Sequence, residues 1–291
     1  MTNSPTSMTT AADPIVQGKQ SVAEVTIAPT RPFWDAVAEL WTFRELFLFL
    51  ALRDVKIKYR QALLGIAWAV LQPLATMAIF AWLFGRMMGV SHAGQPATVF
   101  YLSSVVPWLF FSAAVSGASN SLVGNADMLR KVYFPRLVLP GAATLACLVE
   151  LGIGLTVLLV AQASYGLLSW RLLLWVPLVA LLFTLALAVG ALLAAINVQY
   201  RDVKHAVPFV MQLWLFLSPV AYPATAVPAG ARDFLWLNPI APILTAFRAT
   251  AGPTLPIDWL DLSRAAGMII LITIGASYFF IRAESSLADV V

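Results

Sequence analysis

The sequence predicts an all-α integral membrane protein with six transmembrane helices. Sixty per cent of its 291 residues are hydrophobic, only 11% are charged, and the mean hydropathy is +0.84. A soluble domain is roughly one quarter charged. Apolar runs also recur that reach the ~20 residues a helix needs to cross about 30 Å of hydrocarbon. Most of the chain is therefore expected to lie in lipid.

Composition excludes several function classes. The single cysteine, Cys147, lies in an apolar run and rules out a disulfide framework, while His92 and His205 are too far apart to suggest a metal site. The basic residues flank apolar runs and do not form the clustered face typical of nucleic-acid binding. No phosphate-binding G-x-x-x-x-G-K-[ST] motif is present. We expect no metal site, no cofactor in this chain, and no catalytic residues.

Three regions are predicted along the chain. Residues 1–32 are rich in Ser, Thr, Ala and Pro, lack the pattern of a signal peptide, and predict a disordered cytoplasmic tail. Residues 33–60 predict an amphipathic helix at the cytoplasmic interface, followed by a basic collar. The helical spacing of apolar residues is clearest over 33–48, and the collar holds five charges between Arg53 and Arg60. Residues 61–291 predict the six-helix transmembrane domain.

The predicted spans follow from charge-free apolar runs. The first run after the collar, 61–85, contains 25 residues without a charge. The spans are predicted at 64–85, 99–123, 137–163, 172–196, 206–222 and 265–281. The last is only 17 residues long and is close to the lower limit for crossing a bilayer.

The distribution of basic residues predicts the orientation. With the collar in the cytoplasm and six spans, 13 of the 18 Lys and Arg residues, including every Lys, fall on the cytoplasmic side. Cytoplasmic flanks are the ones enriched in Lys and Arg. Both termini are therefore predicted to be cytoplasmic, in a multi-pass protein of the cytoplasmic (inner) membrane.

The segment between the fifth and sixth spans contains six prolines around a short apolar run, 240–247. This run is too short to cross a membrane. It fits a re-entrant helix, which is tolerated at membrane depth where protein or a water-filled cavity surrounds it. It fits equally a helix lying on the outer surface.

Glu150 is the one clear ionisable residue within a predicted span. Intramembrane carboxylates are functional candidates. A direct role in transport and a structural role, in which Glu150 pairs with a neighbouring helix, are both open. A gradient-driven carrier usually has several such groups, and a single carboxylate argues against that class.

The predicted inner loop at 125–140 is compact and basic, with two aromatic residues, Tyr133 and Phe134, before Pro135. A short helix followed by an aromatic pair suits docking to a soluble partner. The same pair suits insertion into the membrane interface.

The chain has 10 Trp and 17 Phe. Such residues form interfacial belts and fill cores, but some can line a passage where sugar rings stack on them. The candidates for a channel lining are Trp68, Trp82, Trp108, Phe110, Phe111, Trp214 and Phe216.

Four blocks of sequence resemble the permease subunit of ATP-binding-cassette exporters for polysaccharides, of the ABC-2 type. They read RDVKIKYRQALLGIAWAVLQPLATMAIFAWLFG, LRKVYFPRLVLP, INVQYRDVKHAVPFVMQLWLFLSPVAYP and LNPIAPILTAFR, in the family's order. The resemblance covers about 33–282. It implies a homodimer that forms a channel, two copies of an ATPase subunit that carry ATP and Mg²⁺, and a lipid-linked glycan such as O-antigen as substrate.

The resemblance also implies roles for particular residues. The 125–136 loop would contain the helix that contacts the ATPase, and the Pro-rich segment would form short re-entrant gate helices. The predicted ATPase contacts are Met128, Arg130, Lys131, Tyr133 and Phe134. The collar residues Arg53, Lys56 and Arg60 lie at i, i+3 and i+7 on one helical face and would attract the substrate's pyrophosphate. Attraction to anionic lipid and the setting of topology explain the same charges.

Two other functions remain open from the sequence. One is an exporter of the same superfamily that moves lipids or drugs. The other is a membrane-embedded glycan-processing enzyme, for which Asp233, Asp258 and Asp261 are available in the outer segment. These carboxylates flank turns, as helix caps do.

Overall fold

The computed structural model describes residues 42–290, with gaps at 61–64, 91, 93, 133, 229, 231–234, 236 and 253–254. The predicted tail at 1–32 and the first part of the predicted amphipathic helix lie outside the described residues. Within the described ranges the regular structure is entirely helical.

The helices are numbered α1 to α9 in chain order. Their bounds are α1 Arg44–Arg60, α2 Ala67–Phe80, α3 Ala97–Gly124, α4 Ala126–Leu129, α5 Val138–Ser164, α6 Trp175–Gln199, α7 Val203–Leu217, α8 Ile240–Thr250 and α9 Trp259–Val290. A π-helical segment, Ala81–Met87, continues α2, and 3₁₀ turns occur at Trp170–Leu174 and Ala224–Ala226.

Among the described residues, five helices are long and apolar enough to cross a membrane: α2 with its π-helical extension, α3, α5, α6 and α9. They coincide with the predicted spans at 64–85, 99–123, 137–163, 172–196 and 265–281. The predicted fifth span, 206–222, corresponds to α7, which has only 15 residues and ends at Leu217. At 1.5 Å per residue, α7 is about 22 Å long. The described part of the chain therefore has five helices of spanning length and two shorter apolar helices, α7 and α8.

The central element is α3. In its most apolar stretch 78% of residues are buried within the chain, against 17% for α2 at the periphery. Small residues allow α3 to approach its neighbours closely, since a Cβ placed on Gly190 of α6 would lie 2.5 Å from the Cβ of Ala118. A Cβ on Gly154 of α5 would lie 2.7 Å from Val106. Close approach at small residues is typical of helix packing in membranes.

We expect Gly190→Val to destabilise the protein by about 2 kcal/mol or more, because the new side chain overpacks the contact between α3 and α6. The measurement is the thermal unfolding midpoint of the detergent-solubilised protein. Gly152→Val is the matched control, because nothing lies within 4 Å of a Cβ at Gly152. Equal midpoints for the two variants would contradict the close crossing.

Helix α1 packs along α5. The ring of Phe47 lies against Gly141, where it leaves no room for a side chain, and Tyr59 reaches Glu150. From 141 to 150, α5 advances about 13 Å. The collar is therefore the C-terminal part of α1, which lies alongside α5 from the first turn of α5 to about its middle.

Helix α8 is enclosed by other helices. Nine of its eleven residues are buried, and it contacts α3, α6 and α9. The apolar run predicted at 240–247 is thus the first part of a helix inside the fold.

Candidate functional site

Glu150 is paired with the end of α1. The ammonium group of Lys58 forms an ion pair with Oε1 of Glu150, and the Tyr59 hydroxyl donates a hydrogen bond to the same oxygen at 3.0 Å. Burial, and then the neighbouring carboxylate, raises the pKa of Tyr59, so the hydroxyl keeps its proton and remains a donor. The contacts of Glu150 connect α5 to α1, which is the pairing with a neighbouring helix that a structural role involves. A direct role in transport stays a prediction.

A second connection lies closer to the start of α5. The Arg53 guanidinium contacts Asp54 Oδ1 through Nε at 3.0 Å and Nη2 at 2.9 Å. The same Nη2 donates to Asn125 Oδ1 at 2.9 Å. Since Asn125 immediately precedes α4, Arg53 ties α1 to the predicted ATPase-contacting loop. We call Arg53, Asn125, Lys58, Tyr59 and Glu150 the α1 junction.

The predicted basic face of the collar is divided by these contacts. Arg53 is half-buried and engaged with Asp54 and Asn125, whereas Lys56 and Arg60 are exposed. Lys58, which the pattern at i, i+3 and i+7 did not include, makes the contact with Glu150. Of the three predicted headgroup-binding residues, two remain at the surface.

The pair of Lys58 and Glu150 is expected to show a coupling of about 1 kcal/mol, because the two groups share a partly desolvated contact. The measurement is a double-mutant cycle with Lys58→Met and Glu150→Gln, using unfolding free energies from detergent-based denaturation. The control cycle uses Arg264→Met and Asp261→Asn, an exposed pair at i, i+3 on α9, expected to couple by about 0.3 kcal/mol. A coupling no larger than that of the control would contradict the junction.

The loop between α3 and α5 begins with the short helix α4. In this loop Met128 is half-buried, Arg130 and Lys131 are exposed, and Tyr133 lies outside the described residues. Phe134 is only 3% exposed and packs in a cluster with Leu50 of α1 and Leu122 of α3. The structure therefore places Phe134 inside the chain's own core, where it anchors the loop.

The predicted channel-lining aromatics fall into two groups. Trp108, Phe110 and Phe111 of α3 are buried in the core. Trp68 and Trp82 on the α2 segment and Phe216 on α7 are exposed on the surface of the single chain. Trp214 is half-buried and donates its indole N–H to Asn238 Oδ1 at 3.0 Å.

At the far end of α3 from α4, Arg248 of α8 is buried at 5% exposure. It donates to the carbonyl oxygens of Val220 at 2.6 Å, Tyr222 at 2.9 Å and Phe100 at 3.4 Å. Its guanidinium carbon lies 4.0 Å from the centroid of the Phe100 ring. No ion pair of Arg248 occurs within the described part of the chain. We call this arrangement the Arg248 clamp, which joins α8 to α3 and to the segment after α7.

Further side chains hold both ends of α8. The side-chain amide of Asn238 donates to Ser218 Oγ at 2.9 Å, and its oxygen accepts from Ile240 N at 3.3 Å. At the other end, Arg171 Nη1 donates to the carbonyls of Gly252 and Leu255 at 3.0 and 2.6 Å. A cation at the C-terminal end of a helix also opposes the negative end of the helix dipole.

His92 lies near the clamp in the loop before α3. Its ring packs edge-on against Phe100 and Tyr101, with centroid distances of 5.4 Å in both cases. Burial, and then the charge of Arg248, lowers the pKa of His92 below its usual range. The imidazole is therefore neutral at neutral pH, and the positive charge here resides on Arg248.

The sequence analysis did not predict the contacts that Asn238 and Arg248 make around α8. Asn238 and Arg248 lie in the block LNPIAPILTAFR, but their roles depend on contacts with distant segments. The available signal was an arginine at the end of an apolar run, where a charge requires partners. Among the described residues, no cluster of three or more His, Cys, Asp or Glu suitable for a metal ion occurs.

Long apolar helices, joined by buried polar ties, define a multi-pass α-helical membrane protein. The ABC-2 type transporter family model matches residues 45–251, from α1 through the end of α8. The chain therefore belongs to the ABC-2 type transporter family.

The chain is similar to two O-antigen export system permeases and to a polysialic acid transport protein. It is 32% identical over 252 residues to the O-antigen export system permease protein RfbA of Myxococcus xanthus, covering 85% of this chain and 96% of that protein. It is 26% identical over 243 residues to the RfbA permease of Klebsiella pneumoniae, covering 81% and 91%. It is 23% identical over 248 residues to the polysialic acid transport protein KpsM of Escherichia coli, covering 82% and 94%.

Proposed function

We propose that this chain is the channel-forming permease subunit of an ATP-driven exporter that moves lipid-linked polysaccharide, O-antigen or a similar cell-surface glycan, across the cytoplasmic membrane. The observation that carries the proposal is the 32% identity to an O-antigen export permease along 96% of that protein's length. The chain itself is a transport subunit, and ATP hydrolysis, with its Mg²⁺, belongs to a separate ATPase chain.

The topology proposed for this function has six crossings, with both termini in the cytoplasm. Helix α7 supplies the crossing that is shorter than the others, and α8 is a re-entrant gate helix. The enclosure of α8 by α3, α6 and α9 supports the re-entrant assignment, because a helix within the membrane needs protein around it. The excess of Lys and Arg near α1, α4 and the start of α7 supports the orientation.

The proposed assembly contains two copies of this chain and two ATPase chains. Exposed apolar side chains on the α2 segment and α7, including Trp68, Trp82 and Phe216, supply surface for lipid or for the second copy. Met128, Arg130 and Lys131 are the proposed contacts with the ATPase, since they lie on or beside α4 and the two basic residues are exposed. Tyr133 belongs to the same proposed contact by its position in the sequence.

The α1 junction gives this assembly a path for mechanical coupling. Closure of the ATPase chains around ATP displaces α4. The bond between Arg53 and Asn125 passes that displacement to α1, and the contacts of Lys58 and Tyr59 pass it to Glu150 on α5. The channel between the two copies then changes its width at the level of these helices.

We expect the charge reversal Lys131→Glu to weaken binding of the ATPase by about tenfold or more. It places a carboxylate where the proposed contact with the ATPase uses a cation. The measurement is co-purification of the ATPase with the solubilised permease, together with ATP-dependent, vanadate-sensitive export. Lys204→Glu, an exposed lysine near the start of α7, is the control. The proposed function fails if the wild-type permease retains no ATPase and vanadate leaves glycan export unchanged.

A further inference from the structure

The last turns of α3, with the residue that follows them, are rich in side-chain amides and hydroxyls. The sequence from Ser116 to Asn125 reads SGASNSLVGN, whereas the rest of α3 is mostly apolar. Two asparagines of this stretch, Asn120 and Asn125, reach beyond α3 to other helices. Because Asn125 immediately precedes α4, the stretch lies between the proposed ATPase contact and the core of the fold.

Both asparagines are oriented in the same way. Asn120 Nδ2 donates to the carbonyl oxygen of Ser116 at 2.9 Å. Asn125 Nδ2 donates to the carbonyl oxygen of Ser121 at 2.8 Å. In each case the acceptor lies four residues earlier in the chain. A carbonyl accepts only from the nitrogen of the amide, so each Oδ1 points away from this bond as an acceptor.

The two acceptors serve two different helices. Asn125 Oδ1 accepts from Arg53 of α1 at 2.9 Å. Asn120 Oδ1 accepts from Nδ2 of Asn197, on α6, at 3.3 Å. The same nitrogen of Asn197 donates to the carbonyl oxygen of Ser119 at 2.9 Å. Positions five residues apart are separated by about 140° around a helix, so the end of α3 is tied to α1 on one side and to α6 on another.

Asn197 is buried and uses only its side-chain nitrogen. It is 1% exposed, and its Oδ1 has no hydrogen-bond partner within the described part of the chain. A buried acceptor without a donor costs free energy. An apolar side chain of similar size would therefore suit this position better if packing were its only role. What the asparagine adds is the pair of bonds that it donates to α3.

Asn197 lies in the last turn of α6, next to the turn that leads into α7. The Tyr200 N–H donates to the carbonyl oxygen of Ile196 at 2.8 Å, and the Val203 N–H donates to the carbonyl oxygen of Tyr200 at 3.2 Å. These backbone bonds run without a break from the turn that holds Asn197 to the first residue of α7. A movement of Asn197 with α3 would therefore also move the start of α7.

Helix α7 has few other buried residues to fix its first half. Among its 15 residues only Val207 and Met211 are buried. Trp214, near its other end, is hydrogen-bonded to Asn238. The turn after α6 therefore has a large share in placing the first half of α7.

We propose that Asn197 is a positioning residue for export, which passes the displacement of α4 from Asn120 to the start of α7. The α1 junction and this second contact then have one origin, the end of α3, and α1 and α7 move together. The inference rests on the proposed function, because it takes the displacement of α4 by the ATPase as its input.

Two variants break the contact from either side. Asn197→Leu removes both donated bonds, and the cost in stability is partly offset because the unpaired oxygen is removed as well. Asn120→Leu removes the acceptor, and Asn120 lines a cavity of about 270 Å³ between α1, α3 and α5 that can accommodate the change. Thr144→Val is the matched control. Thr144 is fully buried on α5, but its hydroxyl donates within its own helix, to the carbonyl oxygen of Pro140 at 2.8 Å.

The test uses the full-length permease with its ATPase in nanodiscs. Cys147→Ala removes the single native cysteine. One reporter cysteine is then introduced at a time, either Val132→Cys in the loop after α4 or Phe209→Cys on α7, both at exposed positions. Each is labelled with bimane, whose emission wavelength responds to the polarity of its surroundings. Emission is recorded with and without ATP and vanadate.

ATP with vanadate should shift the emission at both positions in the parent protein. Asn197→Leu should reduce the shift at position 209 by at least about twofold, as expected for a side chain that links two elements, and should leave the shift at position 132 unchanged. Asn120→Leu should act in the same way. The double variant should be no worse than either single variant, because the two asparagines form one contact. Thr144→Val should leave both shifts unchanged.

Three results would overturn the inference while the shift at position 132 persists. They are an unchanged shift at position 209 in both asparagine variants, absence of that shift in the parent, and an equal loss of it in Thr144→Val. Additive losses in the double variant would also contradict a single contact. Unfolding midpoints are compared with that of Thr144→Val, and a loss seen only in a variant that has unfolded counts against the inference. Absence of any shift at position 132 in the parent would instead overturn the proposed function, which supplies the input.

Discussion

Replacement of Arg248 by methionine is expected to lower the stability of the protein by about 2–4 kcal/mol, since each buried carbonyl left without a donor costs roughly 1–3 kcal/mol. The carbonyls of Val220 and Tyr222 lose the donor that Arg248 supplies, whereas the carbonyl of Phe100 keeps the Ser103 hydroxyl as a donor at 2.9 Å. Methionine keeps the length of the side chain and removes the costly buried charge, which offsets part of the loss. The net effect remains large because no other described side chain of α8 forms hydrogen bonds both with α3 and with the segment after α7.

The measurement is the unfolding midpoint of the purified protein, with Arg264→Met as the control. Arg264 is exposed at the start of α9 and pairs with Asp261 at 3.1 Å. An exposed ion pair contributes about 0–1 kcal/mol, so the control should be close to wild type. Arg248→Lys separates charge from geometry, because an ammonium group lacks the planar array of donors that reaches several carbonyls. If Arg248→Met is as stable as Arg264→Met, the clamp does not hold α8.

Replacement of Phe134 by alanine is expected to cost about 3–5 kcal/mol, the usual range for removal of a buried aromatic ring. The ring is 3% exposed and packs among residues of α1, α3, α5 and α6. Its loss should free the loop from that core. ATP-dependent export should fall even where the ATPase still binds, because a loop that is no longer anchored in the core would pass less of the proposed displacement of α4 to α1 and α5.

Val132→Ala is the control for Phe134→Ala. Val132 lies in the same loop at 58% exposure, and a surface substitution of this kind is usually within about 0.5 kcal/mol. Unfolding midpoints and retention of the ATPase are measured for both variants. If Phe134→Ala releases the ATPase while its unfolding midpoint stays unchanged, then Phe134 acts as a docking residue, as the sequence suggested, and its place in the core is wrong.

The long helices were predictable because the signal for a span is local. The predicted span at 99–123 corresponds to α3, Ala97–Gly124, and the span at 137–163 to α5, Val138–Ser164. A charge-free run of sufficient length is enough to predict such a helix. A charge-free run does not show where a helix ends within it. In α7 the helix ends at Leu217, although the apolar run continues to residue 222.

The contacts of the candidate site were not predictable in the same way. Glu150 was a candidate from its position in an apolar run, but its partner Tyr59 is 91 residues away along the chain. Arg248 is 148 residues from Phe100. Pairing over such distances depends on how the helices pack, which composition and spacing do not encode. Hydropathy likewise does not distinguish Phe134 in the core from an aromatic residue at the surface.

The long sequence separation within the α1 junction has a consequence for biosynthesis. Helix α1 leaves the ribosome before any of its partners, since Asn125, Phe134 and Glu150 all lie later in the chain. At ~5–20 residues per second, the 91 residues between Tyr59 and Glu150 take about 5–20 s to synthesise. During that interval Lys58 and Tyr59 lack the carboxylate that they contact in the folded chain. Docking of α1 therefore follows insertion of α5, and a nascent chain stopped before Glu150 should hold α1 accessible to protease.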